Sequence, residues 1–390
     1  MKVCYFTLGG RGGSDKALID ILVPLRRYYG INPFVICDRR DLIPYLEAQN
    51  IDYLNFKFKW AIYPVHDKLV DKILFIPRII HDFYVRHKNV NDLCRIVAND
   101  IKPDIIHTNV GVINIGYKIS RKLSIPHIWH LREYQSLDHN MHYVGGHKTL
   151  KKCLKKNQFN IGITKQLFQY FELSFPSVQI YDGVREERHW NGVFPHYSPV
   201  FLFVGFLYEG KGIDEVLSAY NDYVRQGGVN KLYIAGALSE TNGFHKKIKQ
   251  YVIDNKLDGV KFLGFRDDID KIMESCAAVM VASRFEAFGR VTAEAMFNKT
   301  LVIGRDTAGT KEQFDNVDAM AGAEVSLRYQ GGKELTQCLF KVDNMSIEER
   351  KQLIKAGFDT VNELYTNEKS AAQVYEYYKR VIDYGRNRNS

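Results

Sequence analysis

Short apolar runs alternate with amphipathic helical patterns along this chain of 390 residues. Runs of about five apolar residues between helical stretches are typical of parallel strands that helices cover on both faces. The predicted strands lie at 2–8, 33–38, 104–108, 127–131, 160–164 and 177–181, and then at 200–205, 231–235, 259–263, 277–282 and 300–304. This alternation predicts an α/β fold with two Rossmann-like, doubly wound domains.

The alternation breaks at residues 186–199 (EERHWNGVFPHYSP), where two prolines and a glycine are typical of a linker. Residues 1–185 are therefore predicted to form an N-terminal domain and residues 200–366 a C-terminal domain. Residues 367–390 continue as a polar and aromatic helix. Because 45% of the residues are hydrophobic, a chain of this length can bury two cores.

The segment 286–294 (EAFGRVTAE) joins a predicted buried strand to a predicted helix. Gly289 lets the turn approach a ligand with bare backbone, and the first helical N–H groups favour a phosphate. Glu286 lies at the carboxyl end of the strand, and the Glu294 side chain leans back toward the same place. The turn therefore predicts a sugar-nucleotide site, with phosphate donors and two hydroxyl acceptors. The alternative is an ordinary turn with two solvated glutamates.

Five segments of the second half resemble the family 4 retaining glycosyltransferases. They are 203–212 (FVGFLYEGKG), 232–236 (LYIAG), 260–265 (VKFLGF), 286–294 and 308–312 (AGTKE). The first half resembles the family more loosely, through 9–13 (GGRGG), 103–107 (PDIIH), 130–133 (HLRE) and 182–184 (DGV). The resemblance implies the GT-B fold, in which two Rossmann-like domains face a deep interdomain cleft and a terminal helix crosses back to the N-terminal domain. It also implies sugar transfer from a nucleoside diphosphate with retained anomeric configuration.

On the donor side, the resemblance implies that Lys211 neutralises the diphosphate as charge grows on the leaving group. The family usually carries an arginine where this chain has Phe206. We expect Arg290 or Arg266 to replace that cation, and we favour Arg290 because it begins the helix that faces the phosphates.

The resemblance assigns the ribose hydroxyls to Glu294 and a hydroxyl of the donor sugar to Glu286. Further donor contacts are expected from backbone groups at Phe265, Arg266, Phe288, Gly289, Arg290 and Val291. Phe265 and Arg266 are expected to hold the base. Phe288 and Gly289 are expected to contact the sugar. Arg290 and Val291 are expected to contact the distal phosphate.

In the first half, Gly12 and Gly13 permit close approach of the donor phosphates, although a simple turn explains them equally well. The family often places a histidine at the position of His130, near the acceptor and the anomeric carbon. A core or capping role is the alternative. Arg132 and Glu133 either orient an acceptor or pair with each other.

Lys211, Glu286 and His130 are the predicted catalytic residues. Retention by two carboxylates and a covalent intermediate is not expected, because neither glutamate is predicted under the β face of the sugar. Family members are thought to react on the front face, where the leaving phosphate helps to deprotonate the acceptor. The resemblance implies no metal, and no cofactor other than the donor substrate is expected.

Positive charge is concentrated in the first half, where residues 1–190 contain 28 Lys and Arg against 18 Asp and Glu. This asymmetry indicates an acidic partner, such as a lipid surface, a pyrophosphate or an anionic glycan. The basic and aromatic segment 57–88 and the basic helix 148–156 are predicted to lie on an anionic membrane. Core-packed helices with a solvated basic face are the alternative. No recognition motif indicates nucleic acid.

The predicted protein is a cytoplasmic enzyme, peripheral on the inner face of the plasma membrane. Its six cysteines are scattered without a C-x-x-C pair, and neither a signal peptide nor a membrane span is predicted. It would move a sugar from a UDP- or GDP-sugar to a glycan or polyprenyl-pyrophosphate-glycan acceptor, in bacterial cell-surface polysaccharide synthesis. One alternative is a non-catalytic sugar-nucleotide-binding or partner subunit, which Phe206 favours. An epimerase or hydrolase on the same scaffold is another.

Overall fold

The structure is a computed structural model that describes residues 1–64 and 69–389. The chain divides into two compact units. The first joins Met1–Gly183 to the chain from Asn367 onward, and the second is Val184–Thr366. The predicted linker, residues 186–199, belongs to the second unit, and the C-terminal helix belongs to the first. Of the predicted membrane segment 57–88, residues 65–68 lie outside the described residues.

The first unit is built on a parallel sheet, which has seven strands within the described part of the chain. The strands of the unit are β1 (Lys2–Thr7), β2 (Asn32–Cys37), β3 (Asp52–Asn55), β4 (Ile62–Pro64), β5 (Ile105–Thr108), β6 (His127–Leu131), β7 (Met141–Tyr143), β8 (Asn160–Gly162) and β9 (Val178–Gln179). The sheet order is β3-β2-β1-β5-β6-β8-β9, and β4 pairs with β7 in a separate antiparallel ladder. The carboxyl ends of the parallel strands therefore lie at one edge of the sheet, as in a doubly wound fold.

The second unit repeats this architecture with a parallel sheet of order β12-β11-β10-β13-β14-β15. Its strands are β10 (Val200–Val204), β11 (Lys231–Ala235), β12 (Val260–Gly264), β13 (Ala278–Val281), β14 (Val302–Arg305) and β15 (Leu327–Tyr329). This is the 3-2-1-4-5-6 order of a Rossmann sheet, whose strand order reverses between β10 and β13. The predicted α/β class with two Rossmann-like domains is confirmed.

Helices cover the sheets of both units. In chain order they are α1 (Gly13–Tyr29), α2 (Ile43–Ala48), α3 (Leu69–Ile96), α4 (Ile115–Leu123), α5 (Ser136–His139), α6 (His147–Asn157), α7 (Lys165–Tyr170), α8 (Ile213–Arg225), α9 (Gly243–Asp254), α10 (Ile269–Glu274), α11 (Arg290–Phe297), α12 (Ala308–Ala321), α13 (Gly332–Asp343), α14 (Ile347–Leu364) and α15 (Asn367–Asn389). A π-helical turn, Val97–Ile101, continues α3, and a 3-10 turn, Glu209–Lys211, precedes α8.

The sheet of the first unit buries apolar side chains on both faces. One face packs against α1 and α15, with Val374 and Tyr378 of α15 fully buried. The other face packs against α3 and α4. The C-terminal helix is thus part of the core of the first unit, and a side chain near its middle can reach the strands.

Several elements differ from the sequence prediction. Strands β3, β4, β7 and β15 were missed, because each has only three or four residues and none gives a five-residue apolar run. Asp268 is the N-cap residue of α10, but its carboxylate makes no cap hydrogen bond and instead accepts two from the Arg266 guanidinium.

Candidate functional site

The turn between β13 and α11 is held by the start of α12. Gly289 caps α11 with a φ of 89°, a left-handed conformation that favours glycine. The Gln313 side-chain amide donates to the carbonyl oxygens of Phe288 and Gly289. Gly309 donates its N–H to the Glu286 carbonyl at 2.9 Å, and a Cβ on Gly309 would clash with the Phe288 backbone. These contacts with the start of α12 therefore fix the turn in one conformation.

Lys211 lies next to Glu286 because two neighbouring loops are joined. The N–H of Arg284 donates to the Gly210 carbonyl at 2.9 Å. Gly212, at a φ of 70°, packs against Ala282 so closely that a Cβ would clash with the carbonyl oxygen. The Lys211 ammonium then donates to Glu286 Oε1 at 2.9 Å, with the two side chains 20% and 22% exposed. The structure thus brings these two predicted catalytic residues together.

Two arginines approach the carboxylate of Glu294. Arg185 Nη1 lies 3.4 Å and Arg290 Nε lies 3.8 Å from Glu294 Oε1. Arg185 also donates to Asp270 at 2.7 Å, so it bridges α10 and α11. Sequence reasoning missed Arg185, because its partners are distant in sequence and no local pattern marks it.

Positions 206, 265 and 266 follow β10 and β12 at the carboxyl edge of the second sheet. Phe206 is 65% and Phe265 69% exposed, both unusual for aromatic side chains. Arg266 forms a forked pair with Asp268, at 2.8 and 2.7 Å. Val291, half-buried, is the second residue of α11, directly after Arg290.

In the first unit, His130 belongs to a buried polar network. We define this network as Tyr5, Asn109, His107, His130, Arg132, Asp182 and Tyr378, all at most 7% exposed. His107 Nε2 lies 3.2 Å from His130 Nδ1, and His107 Nδ1 lies 2.6 Å from the Tyr378 hydroxyl. His130 Nε2 is 3.8 Å from Asp182 Oδ1, beyond hydrogen-bond distance.

Arg132 is the ionic partner of Asp182. Its Nη2 lies 2.9 Å from Asp182 Oδ1, and its Nη1 donates to Asn109 at 3.0 Å. Burial, together with the nearby Arg132 charge, holds the pKa values of His107 and His130 well below the ordinary value. Both imidazoles are therefore neutral at pH 7, and Asp182 is paired with the arginine.

Glu133 is buried and accepts the N–H of Val112 at 2.9 Å. Burial and, to a smaller extent, the nearby Asp138 charge raise the pKa of Glu133 to about 8. The carboxyl is therefore mostly protonated at neutral pH. Arg132 and Glu133, the predicted acceptor-side residues, thus lie with their side chains inside the first unit and bound by protein groups.

The glycine-rich loop after β1 depends on a glycine other than the predicted ones. Gly12 is the N-cap of α1 at a φ of −75°, with open space where a Cβ would lie, and Gly13 is the first residue of α1. Gly9 has a φ of 76°, and a Cβ there would contact backbone of the next loop. The Asp15 carboxylate accepts the Gly9 N–H at 3.0 Å and fixes this loop. The positive φ of Gly9 could not be read from the run of glycines.

Among the residues described, no group of three or more His, Cys, Asp and Glu side chains is arranged to hold a metal ion. None of the described helices is both long enough and apolar enough to cross a membrane.

Two Rossmann-like domains in one chain, with the candidate site at the carboxyl edge of the second sheet, define the GT-B fold class. Solved structures share this fold over nearly the full chain. Anabaena HepE, solved with UDP and glucose, has a TM-score of 0.75 at 18% identity, covering 96% of this chain and 98% of that one. A glycosyltransferase from Rickettsia africae has a TM-score of 0.74 at 16% identity, covering 98% of each chain.

Sequence comparison points to one family for the second unit. Residues 184–323 match the family model described as Glycosyl transferases group 1. An uncharacterized glycosyltransferase of Methanocaldococcus jannaschii is 28% identical over 218 residues, which are 54% of this chain and 58% of that protein. The chain thus spans less than two thirds of the length of this curated relative. The match over residues 184–323 supports, for the second unit, the glycosyltransferase family predicted from the sequence, and the solved structures show the shared fold.

Proposed function

We propose that this protein is a retaining glycosyltransferase that uses a nucleoside-diphosphate sugar and no metal ion. The observation that carries the proposal is the pairing of Lys211 with Glu286 beside the amino end of α11, on which Glu294 also lies. This arrangement offers a cation for a diphosphate, N–H groups for a phosphate and carboxylates for hydroxyls.

Lys211 is proposed to stabilise the leaving diphosphate. Its ammonium is fixed by donating a hydrogen bond to Glu286 Oε1 at 2.9 Å, beside the turn where a diphosphate would bind. Charge on that oxygen grows in the transition state, which makes a fixed cation more effective there than in the ground state. Glu286 is held by Lys211 in the orientation needed to accept a hydroxyl of the donor sugar.

Arg290 is proposed to replace the arginine that relatives carry at the position of Phe206. It begins α11, is largely buried and lies near Glu294. Arg266 is less suited, because its guanidinium is already forked onto Asp268. Arg185 is proposed to orient the Glu294 carboxylate toward ribose hydroxyls. Lys211 and Arg290 together supply the charge that a divalent ion supplies in other transferases.

We propose UDP-glucose or a related UDP-sugar as the first donor to test, with GDP-sugars second. Anabaena HepE has been solved with UDP and with UDP-glucose, which supports this order. Thermal shifts against UDP, GDP, ADP and their sugars test the choice. A ligand at 100 times its dissociation constant adds about 2.7 kcal/mol to stability. Lack of any shift with all of these nucleotides would contradict the proposal.

Catalysis is tested separately from binding. We expect nucleotide release from the bound donor to require Lys211 and to accelerate with a glycan acceptor. NMR of the product should show the anomeric configuration of the donor, with no requirement for added divalent ions and no inhibition by EDTA. Binding without any turnover would favour the non-catalytic partner subunit. Donor hydrolysis that no acceptor stimulates would favour a hydrolase.

The acceptor is proposed to be a glycan or polyprenyl-pyrophosphate glycan of bacterial cell-surface polysaccharide synthesis, reached from the cytoplasmic side of the membrane. Phe83 and Tyr84 on α3 are each 69% exposed, which supports a membrane-contacting surface on the first unit. On α6, Lys152, Lys155 and Lys156 are exposed and suited to anionic headgroups. Lys151 is different, because it pairs with Glu172 at 2.7 Å.

Vesicle cosedimentation tests the membrane contact. We expect binding to anionic vesicles at low salt and release at high salt, since each basic residue near such a surface contributes about 1 kcal/mol. Changing Lys152, Lys155 and Lys156 to glutamate should weaken vesicle binding and leave nucleotide affinity unchanged. The same changes at three exposed lysines of the second unit, Lys246 and Lys247 of α9 and Lys271 of α10, are the matched control. Equal binding to neutral and anionic vesicles, or none to either, would contradict the proposal.

A further inference from the structure

A chain of hydrogen bonds runs from the C-terminal helix α15 to His130. The Tyr5 and Tyr378 hydroxyls are 3.0 Å apart, and the Tyr378 hydroxyl is 2.6 Å from His107 Nδ1. His107 Nε2 is then 3.2 Å from His130 Nδ1. All four side chains are fully buried, so water does not compete for these contacts. Along such a series of hydrogen bonds, every donor points either toward His130 or toward Tyr5.

The His130 end of this hydrogen-bond chain selects the direction. In one direction, Tyr5 donates to Tyr378, Tyr378 donates to His107, and His107 Nε2–H donates to His130 Nδ1. His130 then carries its proton on Nε2, which faces Asp182 Oδ1 at 3.8 Å, an attractive arrangement. In the other direction, the unprotonated His130 Nε2 would face the Asp182 carboxylate, and two buried acceptors that face each other are unfavourable. Each direction leaves one donor at an end of the hydrogen-bond chain, either His130 Nε2–H or the Tyr5 hydroxyl, so the facing acceptors decide.

We propose that Tyr378 of the C-terminal helix is a positioning residue that, through His107, fixes His130 as the tautomer protonated on Nε2. The hydroxyl of Tyr378 acts by supplying the donor that His107 Nδ1 needs. His107 is thereby left with its only proton on Nε2, directed at His130. Burial also keeps both imidazole rings neutral, so each ring carries one N–H proton, as this series of hydrogen bonds requires.

The consequence concerns what His130 can do in the proposed transferase, and it rests on that function. An imidazole protonated on Nε2 donates a hydrogen bond through that atom and cannot accept a proton there. His130 Nε2 has no acceptor within hydrogen-bond distance among the described residues. His130 Nε2 is buried in the protein alone, so it can donate to a substrate oxygen only where substrate binding uncovers it. In that complex His130 would be a hydrogen-bond donor, and deprotonation of the acceptor would fall to another group.

The tautomer itself can be measured without any substrate. The full-length protein labelled with ¹⁵N-histidine is examined by long-range ¹H–¹⁵N NMR, with His107→Gln and His130→Gln assigning the two rings. We expect both histidines to carry the proton on Nε2, with Nδ1 unprotonated. A His130 protonated on Nδ1, or an equal mixture of the two tautomers, would overturn the proposal whether or not the protein binds nucleotides.

Two neighbouring tyrosines give a matched pair of variants. Tyr378→Phe removes the donor to His107, whereas Tyr377→Phe removes a hydroxyl of the same buried helix that donates to the Pro176 carbonyl at 2.9 Å. Only Tyr378→Phe should alter the His107 and His130 nitrogen shifts. It should also lower kcat for UDP release from UDP-glucose about three- to tenfold, the effect of one lost hydrogen bond, with KM nearly unchanged. Equal effects of both variants would overturn the positioning role.

The donor role of His130 is tested by substitution at that residue. Gln can present an N–H close to the position of Nε2 but cannot act as a base. His130→Gln should therefore keep more activity than His130→Ala by about tenfold, the effect of one hydrogen bond. Equal loss in the two variants would overturn the donor role. A wild-type protein without nucleotide binding would contradict the proposed function, whereas the NMR result would still decide the tautomer.

Discussion

The two units place their candidate functional residues in opposite environments. In the first unit, Arg132 and Asp182 are 2% and 4% exposed and lie within a buried polar network. In the second unit, Lys211 and Glu286 are 20% and 22% exposed and lie on loops at the ends of strands. A fully buried charge depends on its protein partner, because no water can replace that partner. A partly exposed charge can exchange its protein partner for a ligand.

This difference separates two kinds of sensitivity. Changes of the buried charged residues Arg132, Glu133 and Asp182 should act mainly on stability, and changes at the turn around Glu286 should act mainly on ligand binding and turnover.

The largest effect is expected on stability, from removing the arginine of the buried pair. Arg132→Met leaves the Asp182 carboxylate buried without its cation, which should cost about 3–5 kcal/mol in the free energy of unfolding. Lys211→Met is the control. It breaks the partly exposed pair with Glu286, which should cost at most about 1 kcal/mol in the free energy of unfolding. Chemical denaturation measures both. Similar losses in the two variants would remove the contrast between the units.

The pH dependence of stability should reveal Glu133. The folded pKa of about 8 lies above the ordinary value of 4.5, so the folded state retains a proton that the unfolded state releases. The contribution of Glu133 is fully present below pH 4.5 and is lost as the pH rises to about 8. Glu133→Gln removes this dependence, and its gain over wild type from pH 5 to pH 8 should be roughly 3–4 kcal/mol.

Denaturation at several pH values gives this difference directly, because the buried histidines contribute equally to both proteins. Glu324→Gln, at an exposed glutamate of the second unit, should run parallel to wild type. A Glu133→Gln curve that also stays parallel to wild type would show that Glu133 is ionised in the folded protein.

At the turn, Lys211→Ala should reduce turnover without a matching loss of stability. Loss of a donor to developing negative charge typically lowers kcat by about 100- to 1,000-fold, or about 2.7–4 kcal/mol. Phe206→Ala is the local control, because this exposed side chain follows the same strand and should have a mild effect. Steady-state rates of nucleotide release from the donor measure both. A mild Lys211→Ala variant would indicate that other cations carry the diphosphate.

The fold was largely predictable because buried parallel strands leave apolar runs in the sequence. The exceptions were four strands of three or four residues without an apolar run, including β15. The pairing of Lys211 with Glu286 could be expected only in part. Both follow strands that are neighbours in a Rossmann sheet, but the contact itself depends on the joined loops around Gly210 and Gly212.

Contacts between distant segments could not be predicted. Arg185 reaches Glu294 and Asp270 across the sequence, and Tyr378 reaches His107 from the C-terminal helix. Neither hydrophobic periodicity nor a short motif predicts such a contact, because the contact depends on how whole helices pack. The burial of Arg132 and Glu133 could not be predicted from the sequence either, since charged residues after a strand are usually solvated.

The smallest of these effects is expected on nucleotide affinity, and it distinguishes the two glutamates of the turn. Glu294→Ala removes the acceptor proposed for the ribose hydroxyls, which should weaken UDP binding by about 1.5–3 kcal/mol, or about ten- to hundredfold. Glu286→Ala should leave UDP affinity nearly unchanged and lower turnover instead, because its partner is the sugar. Calorimetry with UDP and kinetics with UDP-glucose separate the two outcomes. Since Arg185 and Arg290 lose their shared carboxylate in Glu294→Ala, Glu294→Gln is the control for charge, and it should recover part of the affinity. Unchanged UDP affinity in both Glu294 variants would show that Glu294 only holds these arginines.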